Sequence, residues 1–502
     1  MFNSSEEHTG RRYLHTKDMF KKYRQEYAYL VKPFLVLSLI YGLSFMAIIR
    51  ANFYYVDDFG RTLTGYHDRV YFSRYADVVL GTLINANTYL TDISPLTQII
   101  AVLFLALASV IVINIFSENK KVDFWNIMAV LPLGLSPYFL ECISYKFDAP
   151  YIAFSILAVV VPFLFIDNTK TYIAASFTGT LLMLMTYQAS SGIFPVIVIM
   201  TSLQMYRRGE KMKNVLRFSG ISAAVYGTAL TIYKVFLMYP VSDDYAANDM
   251  LPLSHLVSGV ISNLAKYYRG VWSESYIVWK MLAVVVIIAF ITINILETKQ
   301  KKSHMAIVSV AALLLALALA FGLYIALESP LFSPRAKYGI GVLIAALAVQ
   351  CCNIRPKNAV RIVCCALSWC FISFAFTYGN ALSEQKRYTN FRAEAVLNSL
   401  NELDVMKNDD EKIIQFTGIM LEAPAVRNMI KKYGILEWLI PDTFSGNHSY
   451  YWSDYYILNY FDLKNVKRDD SIDIRKKKLP VVKNTMYHKI KANDKYILVE
   501  LK

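Results

Sequence analysis

The sequence describes an α-helical polytopic membrane protein with a small α/β domain after its last crossing, and three observations predict it. Hydrophobic residues fill 56% of the 502 positions and the mean hydropathy is +0.36, above the apolar share of about 45–50% usual in soluble domains. Charged residues, at 18%, fall below the usual quarter or so. The apolar residues gather into runs of roughly 17–23, long enough for a helix to cross a bilayer, and Lys and Arg collect in the short segments between the runs. The net charge of +14 is thereby loop charge that fixes orientation, and a nucleic-acid partner is not expected. The six cysteines (Cys142, Cys351, Cys352, Cys364, Cys365 and Cys370) show neither a disulfide framework nor a metal spacing.

Residues 1–33 are polar and carry Arg11, Arg12, Lys17, Lys21, Lys22, Arg24 and Lys32, which predicts a cytoplasmic N-terminal segment. A membrane domain follows over 34–378. Its first run, 33–49, lacks a small-residue cleavage site and reads as a permanent signal-anchor helix. The first outer loop, 50–95, holds a segment with Phe72, Tyr75, Ala76, Val79, Leu80 and Leu83 on one helical side and Ser73, Arg74 and Asp77 on the other. That pattern predicts a helix lying in the outer interface.

Ten more runs follow, at 96–116, 124–140, 150–166, 171–187, 193–206, 218–238, 276–296, 305–327, 338–354 and 362–378, which makes about eleven spans. Positive charge meets each inward arrival: Lys120 and Lys121; Arg207, Arg208, Lys211, Lys213 and Arg217; Lys299, Lys301 and Lys302; Arg355, Lys357 and Arg361. The N-terminus is therefore expected inside and the C-terminus outside. An outer segment over 239–275 carries Asp243, Asp244 and Asp249.

Residues 379–502 contain no further span and read as an extracytoplasmic α/β domain, helical over 381–406, a buried strand over 412–418 and a hairpin over 486–501 turning at 492–494. At about 120 residues this tail can hold its own core. It has no cysteine, which suits a bacterial surface better than a secretory lumen.

With that topology, the chemistry-bearing residues share one side. Asp57 and Asp58 sit where the first run ends; Tyr145, Lys146 and Asp148 follow the third, Gln188 the fifth, and Arg335 with Lys337 the ninth. Acids kept at a membrane face are costly to leave idle. A reaction outside the cytoplasm has no nucleotide sugar or ATP, and a lipid-linked substrate delivered through the bilayer is the simplest donor.

The order of Phe53-Tyr-Tyr-Val-Asp57-Asp58-Phe-Gly-Arg61, Ser144-Tyr-Lys-Phe-Asp148 and Tyr187-Gln-Ala-Ser190 resembles the GtrII-type bacterial glucosyltransferases of serotype conversion. The resemblance covers most of the membrane part and, more loosely, the tail. It implies a GT-C-like enzyme of the bacterial cytoplasmic membrane that takes a sugar, glucose in this family, from a polyprenyl phosphate and adds it to a cell-surface polysaccharide. It also implies a functional link to a synthase and a flippase that supply the lipid-linked sugar.

That chemistry needs a carboxylate to accept the acceptor hydroxyl's proton, and Asp57 or Asp58 would serve. Asp58 is favoured, because Phe59-Gly60-Arg61 can turn the chain and bring a cation to it. Two alternative readings of the pair are a site for a divalent cation such as Mg or Mn and, for one member, a cap of the following helix. The donor phosphate calls for a guanidinium, met by Arg335 with Lys337, although Arg335 also reads as an interface anchor. Tyr145, Lys146, Asp148 and Gln188 are candidates for sugar or acceptor hydroxyls, with Lys146 and Asp148 as an alternative structural pair. A secondary transporter or flippase is the rival class; the paired halves and broken helices expected of one are not seen.

Overall fold

The computed structural model describes residues 27–66, 71–117, 122–238, 249–354, 358–441, 444, 459–469 and 471–502. Most of the expected N-terminal segment, and Lys120, Lys121, Asp243, Asp244, Arg355 and Lys357, lie outside these residues.

Helix α1 (Val31–Ala51) shows how the apolar runs are used. Leu37, Tyr41, Phe45 and Ile48 recur at helical spacing and are buried, while Leu35, Leu39, Leu43 and Met46 are exposed on the other side. A helix apolar on both faces belongs in a membrane, one face on protein and one on lipid. Two short helices follow, α2 (Asp58–Thr64) and α3 (Tyr75–Asn85), then α4 (Leu96–Phe116), α5 (Phe124–Val130), α6 (Pro132–Leu135), α7 (Phe139–Ser144) and α8 (Ala149–Val160), which runs into a 3₁₀ turn at Val161–Phe165. Next come α9 (Thr169–Leu184), α10 (Ile193–Arg207), α11 (Met212–Ile232), α12 (Leu256–Glu274), α13 (Ile277–Leu296), α14 (Lys302–Leu319), α15 (Gly339–Ile354) and α16 (Asn358–Asn401).

Among the described residues, seven helices are long and apolar enough to cross a membrane: Ala28–Ala51, Leu96–Phe116, Gln188–Arg207, Met212–Leu237, Ile277–Leu296, Lys302–Leu319 and Asn358–Asn401. All eleven expected runs are helical, but four of them, at 124–140, 150–166, 171–187 and 338–354, are carried by shorter helices. Proline explains two of these: Pro132 and Pro137 divide the third run into α5, α6 and α7, and Pro162 tightens the end of α8 into a 3₁₀ turn, because proline removes the donor of an i→i−4 bond. Helices α6, α7, α8 and α15 are almost wholly buried, so the short helices form the centre of the bundle.

The bundle has two distinct ends. At one, the basic segments that follow α10 and α13 meet, with Lys299 N–H donating to the Arg207 carbonyl at 2.9 Å. At the other lie α2, α3, the 3₁₀ turns Gln188–Gly192 and Pro334–Ala336, and the tail. Helix α3 presents Val79 and Leu83 outward and buries Ser73 and Asp77 near its start, the orientation expected of an interfacial helix that turns its polar side to the protein.

The expected boundary at 378/379 falls inside α16, which runs unbroken from the bundle into the tail. Gly379 sits where α16 crosses α1, and a Cβ there would lie 2.4 Å from the Ala47 carbonyl carbon. Beyond it a five-stranded sheet forms from β1 (Lys412–Thr417), β2 (Val466–Lys467), β3 (Val481–Asn484), β4 (His488–Ala492) and β5 (Tyr496–Leu501), in the order β2-β1-β5-β4-β3. The β1 pairs are parallel and the β3-β4-β5 pairs antiparallel. Ile414, Phe416, Ile490, Val499 and Leu501 pack on Ala393, Val396 and Leu400 at the end of α16. Two further helices, α17 (Pro424–Lys432) and α18 (Leu436–Leu439), contribute Val426, Leu436 and Leu439 to the main bundle core, and Tyr55 Oη donates to the Leu439 carbonyl at 3.0 Å. The tail thus roofs the end that holds Asp57 and Asp58.

Candidate active site

The backbone that presents the two aspartates is tightly turned. Asn52 closes α1 at φ 45°, and Val56 is held at φ 46° just before the acids, a conformation a β-branched residue adopts only when its surroundings enforce it. Part of that enforcement is Asp58. Its Oδ2 accepts from Tyr55 N–H at 3.0 Å and Lys146 N–H at 3.1 Å, so it fastens the segment after α1 to the turn between α7 and α8. The residue is fully enclosed and Oδ1 has no hydrogen-bond partner. Burial pushes its pKa up to about 7, against the pull of the two amides and of Arg61.

Asp57 is the accessible member of the pair, with 29% of its side chain exposed. Arg61, one turn along α2, has Nη2 3.7 Å from Asp57 Oδ2, while its Nη1 donates to Asp148 Oδ2 at 2.6 Å. Arg61 thereby joins α2 to the start of α8. The fields of Arg61, Arg335 and Arg74 all act on Asp57 and stabilise its anion, yet desolvation outweighs them and holds the carboxyl above its ordinary range. A carboxylate raised toward neutrality and still open to solvent is suited to proton transfer.

Two of those arginines stand partly open. Arg335 lies in the 3₁₀ turn after Pro334; its N–H donates to Glu141 Oε2 at 2.7 Å, its Nη1 is 3.5 Å from Glu141 Oε1, and its guanidinium lies 5.1 Å from the Tyr145 ring, with 20% of the side chain exposed. Burial raises the Glu141 carboxyl although Arg335 works to lower it. Arg74 approaches from α3: Nε donates to Gln188 Oε1 at 3.3 Å, and the guanidinium stacks against Tyr187 at 4.9 Å and Phe72 at 5.3 Å. Gln188 Nε2 in turn donates to the Phe72 carbonyl at 3.1 Å and to Tyr233 Oη at 2.9 Å, so Gln188 aims Arg74.

The other sequence candidates are placed as supports. Lys146 and Asp148 do not pair with each other. Lys146 Nζ donates to Asp92 Oδ2 at 2.6 Å and Asn52 Oδ1 at 2.5 Å and sits over the Tyr54 ring at 4.1 Å, and Asp148 takes Arg61. Desolvation raises Asp92, but Lys146 and Ser94 outweigh it and hold it below the ordinary carboxylate range. Tyr145 is buried edge-on to Tyr55 at 4.7 Å. Lys337 forms an ion pair with Glu274 in which both side chains are almost fully buried, so it ties the turn bearing Arg335 to α12 and presents no open charge. A divalent cation fits poorly between Asp57 and Asp58: one carboxylate is enclosed on backbone amides, the other faces arginines, and no group of three or more His, Cys, Asp or Glu side chains is placed to hold a metal among the described residues.

Four charged residues at this end have contacts that the sequence does not assign. Arg61 was read as a cation for Asp58, whereas its i,i+4 spacing points it at Asp57. Arg74 was read as one side of an interfacial helix. Glu141 and Glu274 carried a usable signal, each being an acid beside a long apolar run.

The family described as Glucosyl transferase GtrII matches residues 16–346. A relative from Salmonella phage P22, described as an uncharacterized 55.3 kDa protein in the gtrB 5′ region, is 25% identical over 442 residues, covering 84% of this chain and 88% of the relative. No solved structure matches the chain.

Proposed function

The chain belongs to the GtrII glucosyltransferase family, and from that premise we propose that it transfers glucose from a polyprenyl-phosphate donor to a surface polysaccharide, on the extracytoplasmic side of a bacterial cytoplasmic membrane, as a GT-C-type enzyme of about eleven crossings. The observation that carries the reading is the partly exposed Asp57 carboxylate under the fields of Arg61, Arg335 and Arg74, beneath the tail.

In this reading the acceptor hydroxyl attacks the anomeric carbon and gives its proton to Asp57. The new C–O bond forms as the bond from the anomeric carbon to the phosphate oxygen breaks, and the lipid phosphate leaves with both electrons of that bond. Arg335 and Arg74 meet the charge that grows on the phosphate, where a guanidinium offers two parallel donors. Arg61 holds Asp57 and Asp148 in register, and Asp58 fixes the loop on which Asp57 stands. Tyr145 and Gln188 position the arginines; Lys146 holds the loop floor through Asp92.

The test is transfer in a purified system supplied with polyprenyl-phosphate glucose and isolated surface polysaccharide. Wild-type protein should add hexose to the polysaccharide, read as a mass increase, and Asp57→Asn should not. Equal transfer by both proteins would remove the carboxylate mechanism, and no transfer by the wild type would favour a transporter.

A further inference from the structure

Helix α12 crosses the ends of its neighbours at the tail end of the bundle, and its residues fall into three sectors around the helix axis. Asn263, Tyr267 and Glu274 mark the sector turned to the protein, where all three are buried. Their side chains grip the segment between α14 and α15: Asn263 Nδ2 donates to the Ile325 carbonyl at 3.1 Å and the Leu327 carbonyl at 2.9 Å, Tyr267 Oη donates to the Leu331 carbonyl at 2.7 Å, and Glu274 pairs with Lys337. Arg335 stands on that segment. From the neighbouring position, Tyr268 Oη reaches the Leu317 carbonyl near the end of α14 at 2.8 Å, so the helix passes over α14 on its way to the start of α15.

The other two sectors face outward and differ in kind. Val257, Ile261, Ala265 and Trp272 form one, Ser258, Ser262, Lys266, Arg269 and Ser273 the next, and all are exposed. At roughly 100° per residue each covers about 80° of the helix, so an apolar strip and a polar strip run side by side along its length. Water has no use for the first strip and a bilayer core none for the second, whereas a helix lying in the headgroup layer uses both. The apolar strip leads directly into α13, where Ile277, Met281, Val284 and Ile288 are exposed on a helix long and apolar enough to cross a membrane. At the junction Lys280 Nζ lies 4.5 Å from the Trp272 ring and donates to the Trp272 carbonyl at 3.1 Å. A protein partner would have to stop at this junction; lipid continues past it. Glu274 is the one acid of α12 and is buried, which leaves Lys266 and Arg269 as the only charges of the polar strip, a match for anionic headgroups. We propose that α12 lies in the headgroup layer of the bilayer, with Lys266 and Arg269 on anionic lipid headgroups, and so seats the segment that carries Arg335 against the membrane surface.

The test uses the full chain in vesicles of phosphatidylcholine and phosphatidylglycerol and needs no transfer reaction, so it stands apart from the glucosyltransferase reading. The fluorescence lost on Trp272→Phe reports Trp272 alone, and Ile261→Trp added to Trp272→Phe reports the same strip about 16 Å along the helix. Both signals should be quenched more by lipid brominated near the headgroup end of its chains than by lipid brominated near the methyl end. A signal at position 261 that aqueous acrylamide quenches and brominated lipid does not would overturn the proposal, as would stronger quenching from the methyl end at either position. Phosphatidylglycerol with a photoreactive headgroup should label α12 more than phosphatidylcholine with the same group. Lys266→Gln and Arg269→Gln should cut that labelling about fivefold for each cation lost, with the depth of Trp272 unchanged. Labelling that survives the loss of both cations, or equal labelling by the two lipids, would remove the anionic contact.

Discussion

The two ends of the bundle use charge in opposite ways. Where the segments after α10 and α13 meet, Arg208, Lys211, Lys213, Arg217, Lys299, Lys301 and Lys302 are exposed. At the tail end, Arg61 with Asp148, Lys146 with Asp92, Lys337 with Glu274 and Arg335 with Glu141 are wholly or largely buried. Exposed charge costs little and orients the chain. Buried pairs carry a desolvation cost of several kcal/mol per ion, roughly, which apolar residues would avoid. A protein that keeps four of them at one end uses them to hold geometry.

That contrast is broken most severely at Asp57. Asp57→Asn should lower transfer by about 10²–10⁴-fold, the usual contribution of a general base, with expression and thermal stability in detergent unchanged. Arg217→Ala, at the other end, should leave the rate where it was. If the two variants behave alike in the purified assay, the distinction between the ends carries no catalytic meaning.

Arg335 comes next. Loss of a charge-assisted contact of about 1.5–3 kcal/mol predicts that Arg335→Ala lowers kcat/KM by roughly 10–150-fold. Arg335→Lys should recover only part, because an ammonium replaces a planar fork. Full recovery by lysine would reduce Arg335 to a plain positive charge.

Lys337 sharpens the comparison on stability and affects transfer less. Lys337→Ala leaves Glu274 buried without its partner and should cost about 3–5 kcal/mol of stability, read as a drop in Tm. The double change Lys337→Met, Glu274→Leu should restore most of the Tm. A double variant as unstable as the single one would mean that the pair is not the source of the loss.

How much of this the sequence shows depends on range. The apolar runs, the helix at 75–85 and the hairpin over β4 and β5 are local patterns, legible because period and turn residues lie within a few positions. The number of crossings is less legible: a run such as 124–140 has the right length, but prolines divide it into shorter helices. The acid pair was found because carboxylates beside an apolar run stand out. The pairings around it were not: Asp148, Arg335 and Gln188 stand out as candidates, but that they meet Arg61, Glu141 and Arg74 is set by packing between distant parts of the chain. The preference for Asp58 failed to foresee its enclosure for the same reason: the Lys146 amide that encloses it comes from 88 positions away.

Asp58 should have the smallest effect on transfer, and it separates the two aspartates most finely. Its folded pKa of about 7 stands above the ordinary carboxyl value of 3.8, so between those values the folded protein holds a proton that the unfolded chain has released. Stability from this group is therefore fully present below about pH 4 and is lost as pH rises through about 7. Asn at this position keeps an oxygen for the Tyr55 and Lys146 amides and carries no charge to desolvate. Asp58→Asn should accordingly fold, transfer glucose at close to the wild-type rate, and show a flatter dependence of Tm on pH across that window. Inactivity of a well-folded Asp58→Asn protein, with Asp57→Asn still active, would reverse the roles given to the two residues and make the enclosed carboxyl, not the open one, the base.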